Sequence, residues 1–138
     1  MINKNNFNIK KSKKINISGI PYGFEGHVID NILEINQKNI IYVAKDDKDA
    51  EIIKNSLFFF NSKIEVINFP AWDCLPYDRS GPRLQIQSER LKFLSNFCEY
   101  NLSKKVIIIT VNAITQRVIP KTHLEKLNFS LAIGKPID

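Results

Sequence analysis

The sequence predicts an α/β fold, a three-layer arrangement in which helices cover both faces of a parallel sheet. Apolar, β-branched runs alternate along the chain with stretches whose apolar residues have helical spacing. Short connections between such elements favour right-handed βαβ units. The runs at 40–44 and 106–111 are apolar apart from Thr110, which is typical of strands buried on both faces. The length of 138 residues suits one domain of this class.

The first half of the chain predicts strands that alternate with two helices. The first helix is indicated by apolar residues that recur at i, i+4, i+8 and i+11 over 24–35. The second extends to residue 60, and Asp46 or Asp47 is placed to cap its amino end. The three strands of this half are predicted at 15–17, 40–44 and 64–69.

The second half begins with the proline-rich segment 70–82, for which no regular structure is predicted. Residues 84–98 return to helical spacing, and the residues expected to face inward are Leu84, Leu91, Leu94 and Phe97 or Cys98.

A strongly apolar strand is predicted at 106–111. Asn112 is then placed to cap a short helix through Val118, and Pro120 is expected to close it. A last strand is predicted at 129–133.

The net charge of +6 is concentrated at the amino end of the chain. No acidic residue precedes Glu25, and the five lysines before it leave a charge of only +1 for the rest of the chain. A nearly neutral body is a weak electrostatic footprint for DNA. Residues 1–14 are therefore predicted to be a flexible, solvated basic leader; its lysines are Lys4, Lys10, Lys11, Lys13 and Lys14.

Membrane and disulfide-rich classes are excluded by composition. No apolar run approaches the ~20 residues of a membrane-spanning helix, so we expect no membrane partner and a cytoplasmic location. Cys74 and Cys98 form no CxxC pair, and His27 and His123 lie far apart in sequence. We therefore expect neither a disulfide framework nor a metal site.

The turn that begins at Gly19 follows the first predicted strand, where α/β proteins bind phosphates. A working P-loop requires GxxxxGK[ST]. The residues at the required spacing are Phe24 and Glu25, and Gly23 does not restore the pattern. Pro21 also lacks a backbone N–H. We expect a degenerate loop without a working Walker A motif, and no ATP binding by this chain.

The segment 69–82 contains the only tryptophan and three prolines. Its aromatic residues and an arginine could stack a nucleic-acid base. The alternative, which we favour, is a loop that Trp72, Leu75 and Tyr77 fasten to the edge of the sheet.

No catalytic residue is assigned. Asp73 and Asp78 could be a carboxylate pair, but their place among prolines favours hydrogen bonds within turns. The acidic run 46–49 is explained by helix capping, and His27 has no partner at a diagnostic spacing.

Four segments in order resemble the amino-terminal region of the bacterial transcription-repair-coupling factors. FPAWDCLPYDR at 69–79 is similar to their W-[DE]-x-L-P-Y-[DE] segment, SERLKFL at 88–94 to an R-x-x-x-L helix, and VNAITQRVIP at 111–120 to V-N-x-[IL]-x-Q-R-[VL]-x-P. The turn at 19–24 matches a degenerate P-loop position. The residues to which the resemblance gives a structural role are Trp72, Leu75, Pro76, Tyr77, Asp78, Arg90, Asn112, Gln116, Arg117 and Pro120.

The resemblance implies a subdomain similar to UvrB, shaped like a helicase motor domain that has lost its ATP site. It places this subdomain at 15–128 and the truncated start of a UvrA-recruiting domain at 129–138. The family displaces RNA polymerase stalled at DNA lesions and recruits nucleotide-excision repair. In the family, UvrA, RNA polymerase, DNA, ATP and Mg are bound by domains that this chain lacks, so the partner expected here is the rest of its own polypeptide.

Two functions remain open at this stage. The first is a fragment of such a factor that acts as a scaffold without catalysis. The alternative is a free-standing nucleic-acid-binding module that uses the basic leader and the loop around Trp72, with affinity that falls steeply as salt rises.

Overall fold

A computed structural model describes residues 14–36, 38–75, 77, 79–99 and 104–127, apart from the side chains of 98, 99 and 127. These residues form an α/β fold with a parallel sheet flanked by helices, as the sequence predicts. The helices are α1 (Glu25–Asn36), α2 (Asp47–Phe60), α3 (Leu84–Glu99), α4 (Val111–Thr115) and α5 (Lys121–Leu127), and the strands are β1 (Ile40–Ala44), β2 (Glu65–Phe69) and β3 (Lys105–Thr110).

The sheet has the order β1-β3-β2, and both strand pairs are parallel. Val106 of β3 is level with Ile40 on one side and Val66 on the other, so β3 is the central strand. One face of the sheet, together with α1 and α2, encloses the main hydrophobic core. Its buried residues are Ile29, Leu33, Ala44, Ala50, Ile53, Leu57, Ile64, Val106 and Ile108.

Helix α2 begins where the sequence predicts. Asp46 has extended backbone angles, and its side chain accepts a hydrogen bond from Asp49 N at 2.8 Å, which makes it the N-cap. Asp47 and Asp49 lie in the first turn, where the helix dipole favours negative charge. The cap therefore fixes the point at which the chain leaves β1 and enters the core-forming helix.

The second face of the sheet is covered over β2 but not over β1. Phe69 is buried beneath Phe93 of α3, with ring centroids 4.8 Å apart. Ile41 and Val43 of β1 are 58% and 44% exposed. The expectation that the apolar strands are covered on both faces is therefore wrong for β1 within the described residues.

Helix α3 has the predicted extent but a different buried face. Leu84, Leu91 and Phe97 were expected inside and are exposed, Leu84 by 82%. Among the described side chains of this helix, only Arg90 is buried, at 1% exposure, and the side chain of Cys98 lies outside the described residues. The prediction failed because apolar spacing assigns the core face to leucines, whereas here two aromatic rings, the carbonyl of Pro70 and the side chain of Gln116 surround a guanidinium group.

Three smaller expectations are also wrong. Residues 15–17 form no strand. Helix α4 starts directly after β3, so its cap is Thr110, which accepts from Ala113 N, and not Asn112. The helix ends at Thr115, and Pro120 opens α5, because its carbonyl accepts hydrogen bonds from the amides of the first turn.

The leader (apart from Lys14) and the strand predicted at 129–133 lie outside the described residues. The proposed domain boundaries therefore stay predictions.

Candidate functional site

The candidate site is built around Arg90, where the end of β2, the loop that follows it, α3 and the residues after α4 meet. The Arg90 guanidinium carbon lies 4.3 Å from the ring centroid of Phe69 and 4.2 Å from that of Trp72. Both distances suit cation–π contacts, which gain strength when the groups are shielded from water. The family-like loop is thus anchored through its tryptophan to Arg90 of α3, eighteen residues farther along the chain.

Two hydrogen-bond acceptors complete the anchor. Arg90 Nη1 donates to the carbonyl of Pro70 at 2.6 Å and to Gln116 Oε1 at 3.3 Å. The same Gln116 oxygen accepts from the backbone N–H of Trp72 at 2.7 Å. Trp72, Arg90 and Gln116, all singled out by the sequence, therefore form one network, which we call the Arg90 network together with Phe69 and Pro70.

The charge of Arg90 is retained in this setting. Burial lowers the pKa of its guanidinium group, but arginine remains protonated at neutral pH in proteins. Removing such a charge from water is costly unless it is well hydrogen-bonded. Nη1 meets that need, whereas Nη2 is buried and has no hydrogen-bond partner among the described residues.

Two adjoining clefts open beside the network and share Trp72 and Arg117. The smaller, of about 270 Å³, is lined by Trp72, Arg90, Leu91, Leu94, Arg117, Val118 and Ile119. The larger, of about 710 Å³, is lined by Trp72, Cys74, Leu75, Tyr77, Pro82, Thr115, Gln116 and Arg117. The described lining residues include two arginines and no carboxylate.

The loop before α3 is closed by Asp73 and Arg83. Arg83 Nε lies 3.0 Å from Asp73 Oδ2, and Arg83 N donates to Asp73 Oδ1 at 3.2 Å. Asp73 thus forms the kind of hydrogen bond within a loop that the sequence favoured over a catalytic role. Asp78, its suggested partner, lies outside the described residues, as does Pro76.

The other residues of the family-like segments are more exposed. Leu75 and Tyr77 are exposed at the loop, and Tyr77 has a φ of 68°, a region that non-glycine residues seldom adopt. Asn112 is exposed on α4, and Pro120 opens α5. Leu75 and Tyr77 are exposed, so the expectation that they fasten the loop is wrong. Trp72 does fasten it, through its contact with Arg90.

The glycine turn lies elsewhere, against α2. Gly23 has a φ of 85°, and its carbonyl accepts from Ser56 Oγ at 2.6 Å. Gly26 N donates to the same hydroxyl at 3.0 Å. Gly19 also has a positive φ, of 74°. The Ser56 hydroxyl thus ties the carbonyl of Gly23 in the turn to the amide of Gly26 in the first turn of α1.

Phe24 immediately precedes α1, and Glu25 is the first residue of that helix. The ring of Phe24 lies 5.4 Å from that of Phe60. Burial raises the pKa of Tyr42, and the carboxylates of Asp49 and Glu25 raise it further.

Sequence reasoning missed Ser56 and the ring contact of Phe69. A signal for Ser56 was present, because it lies three residues after Ile53 and so on the buried face of α2. Phe69 was assigned to a strand, and strand spacing gives no information about an arginine twenty-one residues later.

The described residues contain no cluster of three or more histidine, cysteine, aspartate or glutamate side chains that could hold a metal ion. Nor do they contain a helix that is both long and apolar enough to cross a membrane.

Comparison with known proteins identifies similar sequences. No family model matches the chain. Curated proteins named transcription-repair-coupling factor do: the one from Haemophilus influenzae is 31% identical over 103 residues, 75% of this chain. That from Borreliella burgdorferi is 29% identical over 131 residues, 89% of the chain, and that from Escherichia coli 29% over 97 residues, 70% of the chain.

The chain is much shorter than these relatives. It matches 9% of the Haemophilus protein, 11% of the Borreliella protein and 8% of the Escherichia protein. The chain thus spans about a tenth of the length of the curated relatives it matches.

Proposed function

Since this chain belongs to the family of the transcription-repair-coupling factors, through a segment of about a tenth of their length, we propose that it is a structural module of such a factor without catalysis of its own. The complete factor would displace RNA polymerase stalled at DNA lesions and recruit nucleotide-excision repair. The module would hold neighbouring parts of the polypeptide in place during that work.

The observation that supports this role is the internal use of its polar groups. The three residues of the Arg90 network that the family resemblance singles out bond each other and the carbonyl of Pro70. The amide of Gly26 and the carbonyl of Gly23 are bonded to Ser56. A catalytic or phosphate-binding site would present such groups to a substrate. Here these amides, carbonyls and side chains bond one another and hold loops to helices.

The same proposal assigns cofactors and partners. The chain binds neither ATP nor Mg; other parts of the complete factor bind them. UvrA, RNA polymerase and DNA are contacted through those other parts, and the direct partner of this module is the remainder of its own polypeptide. Its location is the cytoplasm.

A segment exchange tests the proposal. In the Escherichia coli factor, the matching segment is replaced by residues 15–127 of this chain, and repair of the transcribed strand is measured after ultraviolet irradiation. We expect the chimaera to restore strand-specific repair to a strain that lacks its own factor. A chimaera that accumulates normally, yet restores neither polymerase displacement nor repair, would show that this chain is not an equivalent module.

A second measurement addresses catalysis alone. The purified chain is incubated with ATP and Mg²⁺, with and without DNA, and released phosphate is followed. We expect no turnover above buffer. Turnover that persists through purification of the folded chain contradicts the non-catalytic role, whatever the chimaera does.

A further inference from the structure

We draw no further inference here: the strongest candidate, the partly exposed cluster of the Phe24, Phe59 and Phe60 rings where α1 begins and α2 ends, is an apolar surface patch, and nothing in the structure shows what covers it.

Discussion

Arg90 shows how a charged residue can be the most buried side chain of a helix. Its desolvation is offset by two aromatic rings at 4.3 and 4.2 Å and by the carbonyl of Pro70 at 2.6 Å. A hydrogen bond from a charged donor contributes about 1.5–3 kcal/mol, and a shielded cation–π contact about 2 kcal/mol. These terms act between segments far apart in sequence, so the residue joins α3 to the loop after β2.

Replacing Arg90 by methionine tests this account. Arg90→Met keeps much of the side-chain volume but leaves the carbonyl of Pro70 without its donor, so we expect the free energy of unfolding to fall by about 2–4 kcal/mol. Urea unfolding followed by Trp72 fluorescence measures it. The control is Arg83→Met, the same change at a side chain that is 83% exposed and paired with Asp73, which should cost less than about 1 kcal/mol. A loss for Arg90→Met of less than about 1 kcal/mol, no larger than that of the control, would contradict a stabilising role of the Arg90 network.

Gly26 permits the close approach of α1 to α2. A Cβ at this position would collide with Ser56 Oγ and lie 2.6 Å from the backbone nitrogen of Leu57. We expect Gly26→Ala to lower the free energy of unfolding by about 3 kcal/mol, because α2 backbone must move. At Gly81 an added Cβ meets nothing within 4 Å, so Gly81→Ala should be neutral or stabilising by about 0.4–1 kcal/mol. Thermal melts of both variants decide it, and a harmless Gly26→Ala would contradict the observed helix packing.

At the scale of the element, α2 depends on its cap. Asp46 Oδ1 satisfies the amide of Asp49, one of the free N–H groups of the first turn. Asp46→Ala should therefore lower stability by about 1 kcal/mol. Asp47→Ala removes the same charge from the first helical residue without removing a cap bond and should cost only a few tenths of a kcal/mol. Chemical denaturation at low salt compares the two; the reverse order would move the start of the helix.

The elements also show which parts of the fold the sequence could predict. The β1–α2 unit was predictable because a β-branched run is followed at once by acidic cap residues, two local signals that agree. The face of α3 was not, because Leu84 and Leu91 have core spacing while the contacts that bury Arg90 come from Phe69, Pro70 and Trp72. Its place in the family-like motif marked Arg90 as important, but nothing local indicated that it is buried.

Two other elements failed for different reasons. The apolar pair Ile15 and Ile17 indicated a strand, but no neighbouring strand pairs with it within the described residues, and pairing is what makes a strand. The cap of α4 is Thr110, whereas the sequence predicted Asn112. Both are good cap residues, and only the position at which β3 ends decides between them.

At the scale of the whole molecule, covered and open surfaces lie on different sides of one sheet. The face against α1 and α2 is closed by the core, while on the other face Ile41 and Val43 of β1 remain exposed and α3 covers β2. The glycine turn lies against α2, and the Arg90 network lies at the carboxyl end of β2. The glycine turn, whose Gly23 carbonyl is bonded to Ser56, and the two clefts beside Trp72 therefore lie in different parts of the molecule.

That separation leads to the last prediction, which concerns nucleotides. We expect no saturable heat when ATP or GTP with Mg²⁺ is titrated to millimolar concentration into the folded chain. A P-loop holds phosphates with a lysine, a hydroxyl that binds Mg²⁺ and a ring of amides. The turn after Gly19 has Phe24 and Glu25 at the required spacing, Pro21 has no N–H to offer, and the amide of Gly26 is bonded to Ser56.

The size of these losses makes the measurement decisive. Each charge-assisted bond contributes about 1.5–3 kcal/mol, so the absence of two such contacts lowers affinity by several powers of ten, and the carboxylate of Glu25 lowers it further. Calorimetry is paired with the melting temperature with and without nucleotide, since a ligand that binds the folded state raises it. A dissociation constant below about 100 μM, or about 5.5 kcal/mol of binding, together with a raised melting temperature, would mean that the turn against α2 opens to present its amides to phosphate and that its bonds to Ser56 are exchanged on binding.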